Sequence, residues 1–119
     1  MIKFLRLVTG EDLVGDTSYV ENDNENVHYL IHKPFKIIYA IHPNGLSISL
    51  APWIVPSLTH DVRYKIYTSD ILVDTEASED LIESYYKVLK RYAKQELMED
   101  TEENTMEEEE DTKTKRTVH

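Results

Sequence analysis

The sequence predicts a mainly β protein, a small and strongly bent antiparallel barrel that is followed by one helix and an acidic tail. Three observations predict this class. Residues 2–19 read as a strand, a glycine-containing turn and a second strand with a glycine inside it. Residues 26–41 alternate in polarity with the period of two that is typical of a strand. Residues 78–97 carry an apolar stripe with helical spacing.

The opening hairpin contains two glycines with different predicted roles. Residues 2–8 are rich in strand-forming types, and Gly10 lies in the turn at residues 9–12, where it can adopt a positive φ. Residues 13–20 resume as a strand that contains Gly15. A glycine inside a strand marks a sharp bend or a close backbone approach, and a small barrel needs such bends to close.

Residues 26–41 follow a polar loop at residues 21–26 and form the strongest strand pattern in the chain. The odd-numbered residues from 27 to 41 are apolar except for Lys33, which predicts one core-facing side that includes Tyr29, Phe35 and Tyr39. Because Pro34 cannot donate a ladder hydrogen bond, we expect a kink or a bulge there. The Asn-Gly pair within residues 42–45 predicts the next turn.

The remaining segments are shorter. Strands are predicted at residues 46–54, 62–67 and 71–73, and Pro52 and Pro56 predict that the first of them ends at an edge or in a loop. Ser78 is a suitable N-cap for the helix, whose apolar stripe either packs on the barrel or binds a partner. The chain therefore divides into a barrel at residues 1–76, a helix at 77–97 and a tail at 98–119.

Charge and composition limit the classes of function. The formal net charge is −10, and residues 98–119 carry nine acidic and three basic residues, which predicts a solvated, disordered tail. No cysteine is present, so neither a disulfide framework nor a thiolate metal site is expected. No apolar run approaches the length of a membrane span and no signal peptide is recognisable, so we expect a cytoplasmic protein without a membrane partner.

No residue pattern indicates catalysis. His28 and His32 share a strand face but lie ~13 Å apart, too far to hold one metal ion, and the five histidines are interpreted as surface residues. Asp70 and Asp74 lack a neighbouring base or nucleophile, which favours a solvated or turn role. No nucleophile elbow, zinc-binding or phosphate-binding motif occurs. We therefore expect no enzyme activity, no cofactor and no metal.

Three aromatic residues near loops are candidates for contact with a base or a neighbouring subunit. Base stacking in single-stranded nucleic acids uses exposed aromatic rings of this kind. They are Tyr19, Trp53 and Tyr67.

Four segments together resemble the Sm-like (LSm) domain of the Hfq and Sm families, most closely the Sm-like type that cyanophages encode. They are KFLRLVTGEDLVGD, IHKPFKIIY, LSISLAPWIVP and YKIYTSDILVDTEAS. In the first segment Gly10 falls on the family's turn and Gly15 on its fixed glycine, and IYTSDILV resembles the family's closing pair of short strands. The resemblance covers residues 1–76.

The resemblance implies a homo-oligomeric ring, because Sm-like proteins pair a free strand edge of one subunit with that of the next. The candidate edges are residues 46–54 or 62–67 against residues 71–73. It also implies binding or chaperoning of single-stranded RNA, in the cytoplasm of an infected host cell if the chain is phage-encoded. Asn26 and Tyr67 are the two positions that match the family's RNA-binding residues.

The chain departs from the family at three places. Asn26 fits the first motif only with one inserted residue, Tyr67-Thr68 replaces the Arg-Gly corner that helps to hold a base, and the helix follows the barrel instead of preceding it. These departures and the acidic balance support an alternative function, a non-enzymatic homo-oligomeric scaffold or accessory protein that has lost RNA binding.

Overall fold

A computed structural model describes the backbone of residues 1–22 and 25–108, and the side chains of residues 1–21 and 27–94. Six strands are followed by one helix. The strands are β1 (Ile2–Leu7), β2 (Asp12–Asn22), β3 (Glu25–His42), β4 (Gly45–Pro52), β5 (Arg63–Tyr67) and β6 (Ile71–Glu76). Two short 3₁₀ turns, η1 (Pro56–Leu58) and η2 (Thr68–Asp70), flank β5, and the helix α1 spans Glu79–Glu108.

The strands form one open antiparallel sheet in the order β4-β3-β2-β1-β6, with β5 also paired to β3. β3 is long enough to hold β2 along one edge and two strands along the other. Its N-terminal half pairs with β5, from His28↔Tyr67 to His32↔Arg63, and its C-terminal half pairs with β4. Within the described residues, β4, β5 and β6 each have a strand on one side only.

The predicted turn at Gly10 is confirmed. Gly10 has a φ of 94°, and its N–H donates to the Leu7 carbonyl at 2.9 Å. The N–H of Leu7 in turn donates to the Glu11 carbonyl at 2.8 Å. The turn therefore depends on a positive φ that glycine adopts without steric cost.

The predicted bend at Gly15 and the predicted bulge at Pro34 lie opposite each other at one irregularity of the β2–β3 pairing. The β2–β3 register shifts between Val14, which pairs with Phe35, and Asp16, which pairs with His32, so β3 has one extra residue there. Lys33 lies in this bulge and has a φ of 49°, in the left-handed region. A bulge of this kind bends the strand and strengthens its twist.

The bulge makes one sequence expectation wrong. Opposite residues of an antiparallel pair share a face of the sheet. Ile31 faces the same side as Thr17, but Phe35 lies on the other side with Val14. The odd-numbered residues of β3 therefore change faces at Lys33 and do not form one apolar side. Tyr29 and Phe35 are buried on opposite faces, and Tyr39, expected in the core, is 46% exposed.

Apolar side chains pack on both faces of the sheet. One face holds a cluster with three half-buried neighbours, Trp53, Tyr64 and Ile71. Its buried members are Leu5, Leu7, Leu13, Ile31 and Ile66. On the other face, the ring of Phe35 meets that of Tyr85 edge-on at 5.8 Å between centroids.

The helix begins as expected and ends later. Ser78 Oγ accepts a hydrogen bond from the N–H of Leu81 at 3.2 Å, which confirms the N-cap. The helix continues to Glu108 instead of ending at residue 97, because residues 98–108 are rich in helix-forming Glu and Met. Residues 109–119 of the expected tail lie outside the described residues. The chain comprises two compact units, Met1–Tyr85 and Tyr86–His119, and all sites described below belong to the first.

Candidate nucleic-acid interface

The corner between β5 and β6 brings together the two segments that carry the predicted RNA-binding residues. Tyr67 ends β5 opposite His28, and the hydroxyl of Thr68 donates to the Val27 carbonyl at 3.3 Å. The backbone next to Asn26 therefore adjoins the η2 turn. The side chain of Asn26 lies outside the described residues, so its role stays a prediction.

The Tyr67 ring is held from two sides and is still partly accessible. The His28 ring meets it edge-on at 5.9 Å between centroids, and Lys65 Nζ lies 5.8 Å from the ring centroid, within range of a cation–π contact. Tyr67 remains 37% exposed. A fixed, accessible aromatic ring beside a cation can stack on a base of a single strand.

Pairing of β3 with β5 places two histidines of β3 beside the basic side chains of β5. Arg63, Lys65 and Tyr67 alternate along β5, so they share one face of the sheet, and His28 and His32 lie opposite the two ends of that strand. We call these five residues the β5 face. The alternation of residue types along β5 is enough to group Arg63, Lys65 and Tyr67 on one face. The sequence did not predict that His28 and His32 join them, because that depends on the register between β3 and β5.

Two details define the charge on the β5 face. His28 is 3% exposed, so its interpretation as a surface histidine is wrong and its position serves to hold Tyr67. Asp16, opposite His32 on β2, is an acidic neighbour, and its Oδ1 accepts a hydrogen bond from the N-terminal ammonium at 2.8 Å. Arg63 and Lys65 are exposed, so this face is locally basic within an acidic chain.

The two other aromatic candidates lie away from the β5 face. Tyr19 is 58% exposed, but it pairs with Tyr29 and so lies on the opposite side of the sheet. Trp53 packs against the apolar cluster, and its indole N–H donates to Glu11 Oε2 at 3.3 Å. Of the three, Tyr67 alone belongs to a locally basic surface.

A second polar cluster ties β1, β3 and β6 together on the other face of the sheet. Lys3 Nζ lies 2.7 Å from Asp74 Oδ1, and the Tyr29 hydroxyl donates to the second carboxylate oxygen of Asp74. Burial and the bond to Asp74 raise the pKa of Tyr29 to about 12. Although burial opposes it, the hydrogen bonds from Lys3 and Tyr29 lower the pKa of Asp74. The Asp74 carboxylate binds Lys3 with one oxygen and Tyr29 with the other, so the cluster links β1, β3 and β6 and has a structural role.

A third cluster joins β1, β2 and β3 on the same face as Phe35. Arg6 donates from Nε and Nη2 to the two carboxylate oxygens of Asp12, at 2.7 and 2.9 Å. The Tyr39 hydroxyl also donates to Asp12, which is 4% exposed. The hydrogen bond from Arg6, despite the opposing effect of burial, lowers the pKa of Asp12. This bidentate pair fixes the start of β2.

The described residues contain no group of three or more His, Cys, Asp or Glu side chains placed to hold a metal ion. In the same part of the chain, no helix combines the length and the apolar character needed to cross a membrane. Models of known protein families give no match to the sequence, and curated proteins give none either.

Proposed function

We propose that this chain is an Sm-like protein that forms a homo-oligomeric ring through β5 and β6 and binds single-stranded RNA at the Tyr67 corner. The observation that carries the proposal is the pairing pattern. β5 and β6 follow each other across η2, yet β5 pairs with β3 and β6 with β1, so each keeps one unpaired edge in the described structure. Neighbouring copies can satisfy those edges.

Charge on the two edges supports pairing of β5 with β6 of the next copy. β5 carries Arg63 and Lys65, whereas β6 carries Glu76 and Asp74, of which Asp74 already pairs with Lys3. Opposite charges on two complementary edges favour a head-to-tail contact and disfavour pairing of either edge with itself. Such contacts would repeat the Tyr67 corner once per subunit, and a weak single site would gain avidity along an RNA strand.

The ring predicts a specific effect of proline at Arg63. The N–H of Lys33 donates to the Val62 carbonyl at 2.7 Å, so the backbone groups of Arg63 point away from β3, to the open edge. Arg63→Pro therefore removes an outward-pointing donor that the proposed contact with a neighbouring copy would use. We expect light scattering to give a multiple of 13.9 kDa for the wild-type chain and a smaller mass for Arg63→Pro.

Arg63→Ala is the matched control, because it removes the same side chain and retains the N–H. Arg63→Ala loses only the charge, so we expect it to retain more of the assembled mass than Arg63→Pro does at the same protein concentration. A wild-type chain that stays at 13.9 kDa at high concentration would contradict the ring.

RNA binding predicts an effect of Tyr67. In a fluorescence titration with U-rich and A-rich single strands, we expect saturable binding that weakens as salt increases. Tyr67→Ala should weaken it by about 1–3 kcal/mol, roughly five- to 150-fold, because it removes the stacking ring. Tyr19→Ala removes an exposed ring from the opposite face and should leave the affinity unchanged.

The alternative is a ring that acts as a scaffold without RNA. The net charge of −10 and the absence of an Arg-Gly corner favour this alternative. An assembled wild-type chain that shows no binding at micromolar protein and low salt would support the scaffold and exclude the RNA function.

A further inference from the structure

The hairpin formed by β4 and the C-terminal part of β3 carries an apolar stripe from the core into solvent. Opposite residues on one face of this hairpin are all apolar. They pair as Ile37 with Leu50, Tyr39 with Ile48, and Ile41 with Leu46. Exposure rises along β3 from 5% at Ile37 to 46% at Tyr39 and 87% at Ile41. The buried face of the sheet thus continues without a break onto an exposed surface.

The outer edge of β4 has a defined set of outward-pointing backbone groups. The N–H of Trp53 donates to the Pro34 carbonyl at 3.1 Å, which fixes the alternation of hydrogen-bonded pairs between β3 and β4. Residues 45, 47, 49 and 51 therefore direct their backbone groups toward β3, and residues 46, 48 and 50 direct theirs outward. No strand covers that edge in the described part of the chain.

The sequence of this edge reads the same in both directions. Leu46-Ser47-Ile48-Ser49-Leu50 is a palindrome centred on Ile48. When two such strands pair antiparallel about Ile48, every outward N–H and C=O of residues 46, 48 and 50 finds a partner. Leucine then lies opposite leucine on the apolar face, and serine opposite serine on the other face.

We propose that β4 binds β4 of a second copy of this chain across a two-fold axis at Ile48. The pairing would join the two apolar stripes into one continuous surface and would leave neither edge exposed. An edge strand without charged residues and with an apolar face is otherwise prone to uncontrolled association, so a defined self-pairing is the arrangement that protects it.

Charge favours a second copy over other occupants of this surface. Residues 37–60 contain no Asp, Glu, Lys or Arg, although 30% of the chain is charged and its net charge is −10. Two copies repel each other over most of their surfaces and meet no like charge here. The absence of Lys and Arg disfavours a nucleic acid.

This contact is independent of the proposed ring. It is isologous, with the same residues on both sides, whereas the β5–β6 contact joins two different edges. Either interface can form without the other, and variants of one leave the residues of the other unchanged.

Single cysteines test the two-fold register, because the natural chain contains no cysteine to create a background. Residues of a hydrogen-bonded antiparallel pair have Cα atoms ~5.5 Å apart, within the range of a disulfide. In the full-length chain under mild oxidation, we expect Ile48→Cys to form a covalent dimer on a reducing-versus-nonreducing gel. Ile41→Cys, at the most exposed position of the stripe, controls for random collision and should react at least about tenfold more slowly.

The neighbouring positions test the register itself. Leu46→Cys alone should not cross-link, because in this register two copies of residue 46 lie ~13 Å apart. A mixture of Leu46→Cys with Leu50→Cys should cross-link as Ile48→Cys does. Equal rates for Ile41→Cys and Ile48→Cys, or efficient dimers of Leu46→Cys alone, would overturn the proposal.

Charge substitution gives a second measurement that does not depend on disulfide geometry. Ile48→Lys and Ile48→Glu each place like charges opposite each other at the axis, so each alone should lose the contact in sedimentation experiments. A 1:1 mixture should regain it, because Lys then faces Glu. A mixture that sediments like the separate variants would overturn the two-fold contact at Ile48. Circular dichroism is the control that each variant is folded.

Discussion

Replacing Tyr85 with alanine is expected to cost about 3–5 kcal/mol of unfolding free energy, a large part of the ~5–15 kcal/mol that stabilises a domain. Tyr85 is 1% exposed, and its ring packs edge-on against Phe35. Its single hydroxyl proton is shared between the carbonyls of His32 and Lys33, each of which lies 3.0 Å from the hydroxyl oxygen. One side chain thus fills the core on that face and satisfies the backbone of the β3 bulge.

Tyr85→Phe separates these two contributions. It retains the ring and removes the hydroxyl, so we expect a loss of about 1–3 kcal/mol from the two carbonyls that lose their donor. Urea unfolding, followed by circular dichroism at one fixed protein concentration, measures both variants and holds any effect of assembly constant. Tyr19→Phe, at a 58% exposed position, should be nearly neutral. A Tyr85→Phe variant as stable as the wild type would show that the bulge holds without the hydroxyl.

Gly15→Ala is expected to destabilise the fold by about 1–3 kcal/mol, although only one methyl group is added. A Cβ at residue 15 would lie 2.7 Å from Ile31 Cγ1, 2.8 Å from Ile31 Cδ1 and 3.3 Å from Pro34 Cα. Ile31 is fully buried and cannot swing away into solvent, and Pro34 presents its backbone. The new methyl group must therefore displace β3 at the bulge.

A double-mutant cycle with Ile31→Ala tests this cause. Removing the Ile31 side chain eliminates the two closest contacts, so Gly15→Ala should cost less in the Ile31→Ala background than in the wild type. Ser18→Ala, at an exposed position of the same strand, controls for the general effect of alanine on β2. Equal costs in the two backgrounds would show that contact with Ile31 is not the reason for glycine at residue 15.

The bend formed by Gly15, Lys33 and Pro34 determines which surfaces the chain presents. Before the bulge, the even-numbered residues of β3 lie on the β5 face, beside Arg63 and Lys65. After it, the odd-numbered residues continue the same side of the sheet and carry the apolar stripe of the β4 hairpin. Without the extra residue, Ile37, Tyr39 and Ile41 would face the opposite side. The proposed RNA-binding and self-pairing surfaces therefore both depend on this one irregularity.

The sequence by itself determined the features that a few neighbouring residues control. The strand and helix types follow from periodicity, and three special positions follow from local chemistry. These are the turn at Gly10, the bend at Gly15 and the N-cap at Ser78, all found as expected. The Gly10 turn depends on backbone freedom and the Ser78 cap on a hydrogen bond within one turn of the chain, so neither needs a distant partner. Gly15 is recognisable as an unusual residue within a strand, but the reason for it is the close approach of Ile31 and Pro34.

The tertiary structure alone decided which residues share a surface. The period of two assigns residues to faces only while a strand is regular. The extra residue in the bulge at Lys33 reverses the assignment for the rest of β3, and the sequence pattern does not show this. The burial of His28, its grouping with Arg63 and Lys65, and the open edge of β4 all follow from β3 pairing with strands distant in sequence. Register between distant strands is a cooperative property of the folded sheet, and no local stretch of the sequence encodes it.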